Sequence, residues 1–182
     1  MDHRLETRRL KLRRWQVSDL DDFANLHSDE FAMRDLGGPI SWNASERKLI
    51  DYMEAWEEND IGRWYTTDKE GQFLGYVGIS KETDDHPIGQ HYEIGWRLQP
   101  AAWGKGYAVE AAEAAITDAF RRVNLPEILA YTAIENARSK SVISKLPFDR
   151  ASSLDFSVPW EPLGTWHGLA WRTDPDLASE LL

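Results

Sequence analysis

The hydrophobic rhythm of the chain changes repeatedly, and each change marks an element. Leu5, Leu10, Leu12 and Trp15 are interleaved with Arg and Lys, the pattern of an opening strand with one solvated face. Val17, Leu20, Phe23, Ala24 and His27 then fall at helical spacing, behind a Ser18-Asp19-Leu20-Asp21 start that has the form of a capping box. Gly37-Gly38-Pro39 breaks the chain. A second helix is predicted from near Asn43, with Glu46 at capping-box distance and Leu49, Ile50, Met53 and Trp56 as its apolar stripe. From Gly62 the period falls to two. Residues 64–67 and 73–79 read as the strands of a hairpin turned by residues 68–72, and the polar residues 81–90 as a loop.

The centre of the chain is residues 91–119. His91 to Leu98 has strand character and Pro100 stops it. A helix follows, with Val109, Ala112, Ile116, Ala119 and Phe120 on one face and Glu110, Glu113, Thr117 and Arg121 on the other. Between them stands Trp103-Gly104-Lys105-Gly106-Tyr107-Ala108. Two glycines before a helix let several N–H groups face one point, and the positive end of the helix dipole adds to the attraction for phosphate. Residues 128–134 then form a nearly continuous apolar run, which suits a strand buried on both faces. A short helix opens at Asn136 and turns Val142, Ile143 and Leu146 inward. Residues 148–158 and 165–173 read as two closing strands around a turn at 159–164. Without internal repeat, low-complexity stretch or linker, residues 1–182 are expected to form a single domain.

Composition narrows the chemistry. There is no cysteine, so disulfides, thiolate metal sites and cysteine nucleophiles are excluded. No apolar run approaches the roughly 20 residues that span a bilayer, and no apolar core follows the N-terminal charges; a cytoplasmic location is expected. The net charge of −10 disfavours nucleic acid and attracts cationic small molecules or basic polypeptides, or serves solubility alone. The nine tryptophans are expected in the core or along a cleft wall. His27 reads as a partly buried, hydrogen-bonded histidine rather than a ligand. Asp84, Asp85, His86 and His91 have no spacing that holds them on one metal, and none is expected.

Three pieces in order resemble the GNAT superfamily of acyl-CoA-dependent N-acetyltransferases, and more closely its RimJ/RimL-type branch, the ribosomal-protein N-terminal acetyltransferases and their relatives. They are Thr7-Arg-Arg-Leu-Lys-Leu-Arg-Arg-Trp15, then Glu93-Ile-Gly-Trp-Arg-Leu98 with the glycine loop, then Asn136-Ala-Arg-Ser139 leading to Ser144-Lys-Leu-Pro-Phe148. The resemblance implies an α/β (α+β) fold, a mixed central sheet of about six or seven strands flanked by about four helices. The fourth and fifth strands would splay apart to admit pantetheine, and Gly95 and Pro100 offer a local reason for it. It also implies acetyl-CoA as co-substrate and a primary amine as acceptor, on a small molecule or a polypeptide N-terminus. A homodimer stays open.

The implied catalytic residues are Glu93 as base, the Leu98 backbone N–H as oxyanion donor and Ser139 as proton source for the leaving thiolate. The implied cofactor-binding residues are Trp96, Arg97, Leu98, Trp103, Gly104, Lys105, Gly106, Tyr107, Ala108, Asn136 and Ser139. The tyrosine that many members carry one turn beyond Ser139 is Ile143 here, and Pro147 replaces a usual glycine. Acceptor walls are expected in residues 31–42, 81–90 and 159–167. The rival reading is a dinucleotide-binding Rossmann unit built on Gly104, Gly106 and Glu135, against which Val109 stands at the third glycine position. A non-catalytic CoA-binding module is the other alternative. A P-loop is excluded because Gly106, not Ser or Thr, follows Lys105.

Overall fold

A computed structural model describes residues 3–160 and 164–173. The opening strand is two short ones, β1 (Arg4–Glu6) and β2 (Leu10–Arg13), folded back on each other with the Thr7 N–H bonded to Leu10 O. Then come α1 (Leu20–Ser28), α2 (Glu30–Met33) and α3 (Trp42–Asn59), and the meander β3 (Arg63–Asp68), β4 (Phe73–Glu82) and β5 (His91–Leu98). Helix α4 (Tyr107–Asp118), strand β6 (Leu129–Ala133) and helix α5 (Ala137–Ile143) follow. Strands β7 (Phe148–Arg150), β8 (Phe156–Trp160) and β9 (Gly164–Thr173) close the chain.

The strands form one sheet in the order β1-β2-β3-β4-β5-β6-β9-β7, with β8 also paired to β9. All neighbours are antiparallel except β5 and β6, which run parallel and share a single register pair, Glu93 with Leu129. This is the expected splay. It falls between β5 and β6 because the opening strand counts as two. The expected strand at 148–158 is likewise divided, by a turn at Ser152–Leu154. One parallel pair in an otherwise antiparallel sheet is not a doubly wound dinucleotide fold. The turn expected at 159–164 and the acceptor wall at 159–167 fall partly on residues 161–163, outside the described residues.

Apolar side chains collect in two cores. Trp64, Val77, Ile79 and Ile94 of the sheet pack with Ala111, Ala112, Ala115 and Ile116 of α4. Trp15, Tyr65, Phe73 and Tyr76 pack with Phe23 and Leu26 of α1 and Leu49 of α3. Phe73 and Tyr76 share that core although three apart, because the β3–β4 register shifts between Thr66 and Thr67. Helix α3 begins earlier than expected: the Ser41 hydroxyl, not Asn43, caps it by accepting the Ala44 N–H. Ser18 is not a cap either. Asp19 stands at the N-cap of α1 without a side-chain cap bond; its carboxylate turns back to accept the Gln16 N–H at 2.8 Å and both Arg13 η-nitrogens at 2.7 Å. Val17 is 72% exposed and Ile50 47% exposed, so neither belongs to the stripe assigned to it. Helix α2 had no expectation of its own; its single turn is held by the Asp29 side chain accepting the Ala32 N–H.

Candidate functional site

Gly104 and Gly106 both adopt left-handed backbone, φ +72° and +79°, where an L side chain is strained. The bend leaves the N–H groups of residues 104–109 without an acceptor among the described residues; the first α4 bond runs from Glu110 N–H to Gly106 O. Together with the helix dipole they form an anion cradle. The β1–β2 turn clamps it from outside. Arg9 donates to Lys105 O at 2.8 Å and to Glu110 Oε2 at 2.6 Å, its guanidinium lies 4.8 Å from the Tyr107 ring centre, and Thr7 donates to Glu110 Oε1 at 2.6 Å. Glu110 was expected on the face of the helix opposite the apolar one, and there these bonds draw it in. Burial works to raise its carboxyl, but the Thr7 and Arg9 hydrogen bonds outweigh that and hold it below the usual carboxylate range.

On β5, Glu93, Gly95 and Arg97 share one face of the strand. Glu93 is buried, and its Oε2 accepts from Arg63 at 2.5 Å and from Ser80 Oγ at 3.2 Å. Oε1 takes no bond among the described residues. Arg63 lies across β4 and β5, donating also to Gly78 O at 3.0 Å. A Cβ at Gly95 would come within 2.0 Å of the Arg63 Nη1. A glycine here permits a bulge or a close approach; β5 pairs regularly with β4 from His91 to Leu98, so it is the close approach, by a guanidinium, that the glycine admits. Burial pushes the Glu93 carboxyl above its ordinary range, the Arg63 guanidinium pulls against it, and the Glu82 charge adds to it.

Beyond the Glu93–Leu129 pair the sheet opens. Gln99 N–H bonds Leu74 O, so by antiparallel alternation Trp96 and Leu98 turn their backbone groups toward β6 above the last paired residue. Leu98 O is taken by the Trp103 indole N–H at 2.9 Å. Two cavities meet here. One, about 230 Å³, runs along the glycine loop and holds Trp96, Arg97, Leu98, Trp103, Gly104, Gly106, Tyr107, Ala108, Asn136 and Ser139 on its wall. Lys105 is absent from that wall; its side chain is exposed and its carbonyl serves Arg9. The other, about 240 Å³, contains Glu93, and both share Asp35, Trp96, Arg97, Asn136 and Ser139. Asn136 caps α5 by accepting the Ser139 N–H at 3.1 Å, and its amide donates to Asp35 at 2.9 Å. Ile143, where a tyrosine was sought, is buried in the core.

Residues 9–149 match the family described as Acetyltransferase (GNAT) domain, more than half of the chain. The chain belongs to the GNAT acetyltransferase family. It is 30% identical over 161 residues to the uncharacterized N-acetyltransferase p20 of Bacillus licheniformis, covering 82% of this chain and 84% of that one. It is 34% identical to the uncharacterized N-acetyltransferase YnaD of Bacillus subtilis over 86 residues, 47% of this chain, and that match spans about half, 48%, of YnaD. Its fold is similar to that of the spermidine N-acetyltransferase from Vibrio cholerae in complex with CoA and spermine. The TM-score is 0.73 at 19% identity, with 93% of this chain and 98% of that one covered. Among the described residues no helix is long and apolar enough to cross a membrane, and no group of three potential metal ligands occurs.

Several site residues escaped the sequence reading. Arg63 and Ser80 bind Glu93 from neighbouring strands, and Asp35 reaches Asn136 across 101 positions. Arg138 stacks 3.8 Å from the Trp103 ring centre, beside the loop. Its place next to Asn136 in the matched motif was the one signal that could have found it. His27 met its expectation: Nδ1 donates to Phe23 O at 2.9 Å, which leaves Nε2 to accept from the Tyr76 hydroxyl at 3.3 Å.

Proposed function

We propose that the chain transfers the acetyl group of acetyl-CoA to a primary amine by direct attack on the thioester. The observation that carries this reading is the junction of two cavities at the splay. One is lined by unbonded loop amides, the other by a buried carboxylate with a free oxygen. The loop N–H groups hold the pyrophosphate, and the thioester reaches the junction beside Leu98. An alkylammonium, with a pKa of about 10, first loses a proton to Glu93 Oε1. The amine nitrogen then bonds to the thioester carbon, and the Leu98 N–H donates to the resulting oxyanion. The C–S bond breaks, the second nitrogen proton passes to solvent, and the Ser139 hydroxyl gives its proton to the CoA thiolate and recovers one from solvent. Amide and thiol are the products. The motifs of the opening strand, loop and closing helix support placing the chain in the RimJ/RimL-type branch.

The test is Glu93→Gln, with thiol release for turnover and calorimetry for acetyl-CoA binding. A fall in kcat of about 10²–10⁴-fold with unchanged acetyl-CoA affinity is expected of a lost general base. Full turnover by the variant ends the base assignment. Acetyl-CoA binding without thiol release from the wild-type chain, across a broad amine panel, points instead to a CoA-binding module.

A further inference from the structure

The acceptor cavity contradicts the charge of the chain around it. The protein carries a net −10, a charge that attracts cationic small molecules or basic polypeptides or serves solubility alone. The charged residues on this wall are instead Lys48, Arg63 and Arg97 against Asp35 and Glu93, three cations to two carboxylates among the described residues. Arg63 is spent on Glu93. Asp35 accepts from Asn136. Lys48 and Arg97 form no ion pair among the described residues; Asp35 keeps its charge, since the Asn136 amide is neutral, and the wall nets one positive. The Lys48 ammonium lies 6.0 Å from the Tyr52 ring centre. Arg97 donates one η-nitrogen to Ala32 O, and its Nε is buried with no partner. Both charges reach His27, whose imidazole is kept neutral by burial first and by these cations after it.

Two cations without an ion pair on the wall of one partly enclosed cavity repel a polyamine. They suit one anionic group, and the Arg97 fork suits a planar carboxylate. Tyr52, Tyr76, Tyr131 and Trp166 give the same cavity aromatic walls. Lys48 does not line the loop cavity, so its charge is not explained by the phosphates of the co-substrate. We propose that the acceptor amine also carries a carboxylate, as in an amino acid, and that Lys48 and Arg97 hold this carboxylate while Glu93 faces the amine.

This inference rests on the acetyl-transfer reading for its chemistry but not for its test. L-Amino acids, their primary amides and the corresponding decarboxylated amines, with L-phenylalanine, phenylalaninamide and phenethylamine as the aromatic set and spermidine as the polycation, are titrated into the full chain with CoA bound. The same panel is assayed for thiol release with acetyl-CoA. At least one carboxylate-bearing amine is expected to bind about tenfold or more tightly than its amide and its decarboxylated form, the range of a charge-assisted hydrogen bond. Lys48→Met should remove that preference while leaving the affinities for the decarboxylated amine and for CoA unchanged. Equal or better binding of the decarboxylated amines or of spermidine overturns the proposal. So does a preference untouched in Lys48→Met, or no binding by any carboxylate-bearing member. If the preference is present without thiol release, the carboxylate assignment stands and the transfer reading fails; thiol release without the preference does the reverse.

Discussion

Gly95→Ala tests the buried centre of the site with one methyl group. Its Cβ would stand 2.0 Å from Arg63 Nη1 and 2.8 Å from Cζ, so the guanidinium has to move. A long side chain can usually swing aside at little cost, but this one is fixed by Gly78 O, Ser80 Oγ and Glu93 Oε2. Moving it separates a buried pair, for which about 3–5 kcal/mol is typical. Alanine in a strand returns roughly 0.5–1 kcal/mol of backbone entropy relative to glycine. The net loss is therefore about 2–4 kcal/mol, or a melting temperature lower by roughly 4–16 °C for a chain of this size. Chemical denaturation gives the first number and a pH–rate profile gives an independent one. With Arg63 displaced, the chief influence lowering the Glu93 carboxyl is gone. Its pKa rises further, and the acid limb of the profile moves to higher pH. Arg63→Met supplies the cycle: Gly95→Ala added to it should cost less than 1 kcal/mol, since the clash has been removed. A Gly95→Ala variant within about 0.5 kcal/mol of wild type with an unmoved acid limb would refute the argument.

Burial lowers the His27 imidazole to about 4 from its ordinary 6.5. Above pH 6.5 both folded and unfolded forms are neutral there; as pH falls from 6.5 to 4 the unfolded chain takes the proton first and stability is lost, by up to about 3 kcal/mol. Urea melts of wild type against His27→Gln across that window should show the difference, and parallel pH dependences would refute it. Arg9→Ala unclamps the glycine loop from Glu110 and Lys105 O; a several-fold weaker acetyl-CoA affinity at nearly constant kcat is expected, measured by calorimetry and thiol release, with a kcat loss of the same size as contrary evidence.

What the sequence made legible was local. The glycine loop, β5, the β3–β4 hairpin and the Asn136 cap are each written within about a dozen consecutive residues, where period and turn chemistry act directly. The bridge from Arg63 on β3 to Glu93 on β5 crosses β4, and the Arg9–Glu110 clamp joins residues 101 apart; no spacing encodes either. Gly95 shows the limit. A glycine in a strand signals that something approaches, but only the neighbouring strands say that it is a guanidinium. Glu110 shows the same limit, since a helix's polar face is solvated only until another segment lies on it. Ile50 neighbours Leu49 in sequence but sits about a quarter turn round the helix, away from the residues that α1 and the sheet cover.

The lone Glu93–Leu129 rung between β5 and β6 has a mechanical consequence. Between β1–β5 and β6–β9 the sheet supplies only that rung, and the rest of the joint is the shared core of Ile94, Leu98, Ile128 and Ala130. A molecule lying across the opening would add backbone partners where the sheet has none. The backbone groups of Trp96 and Leu98 already face that opening, so their amide protons should exchange with solvent more slowly once the proposed co-substrate occupies it.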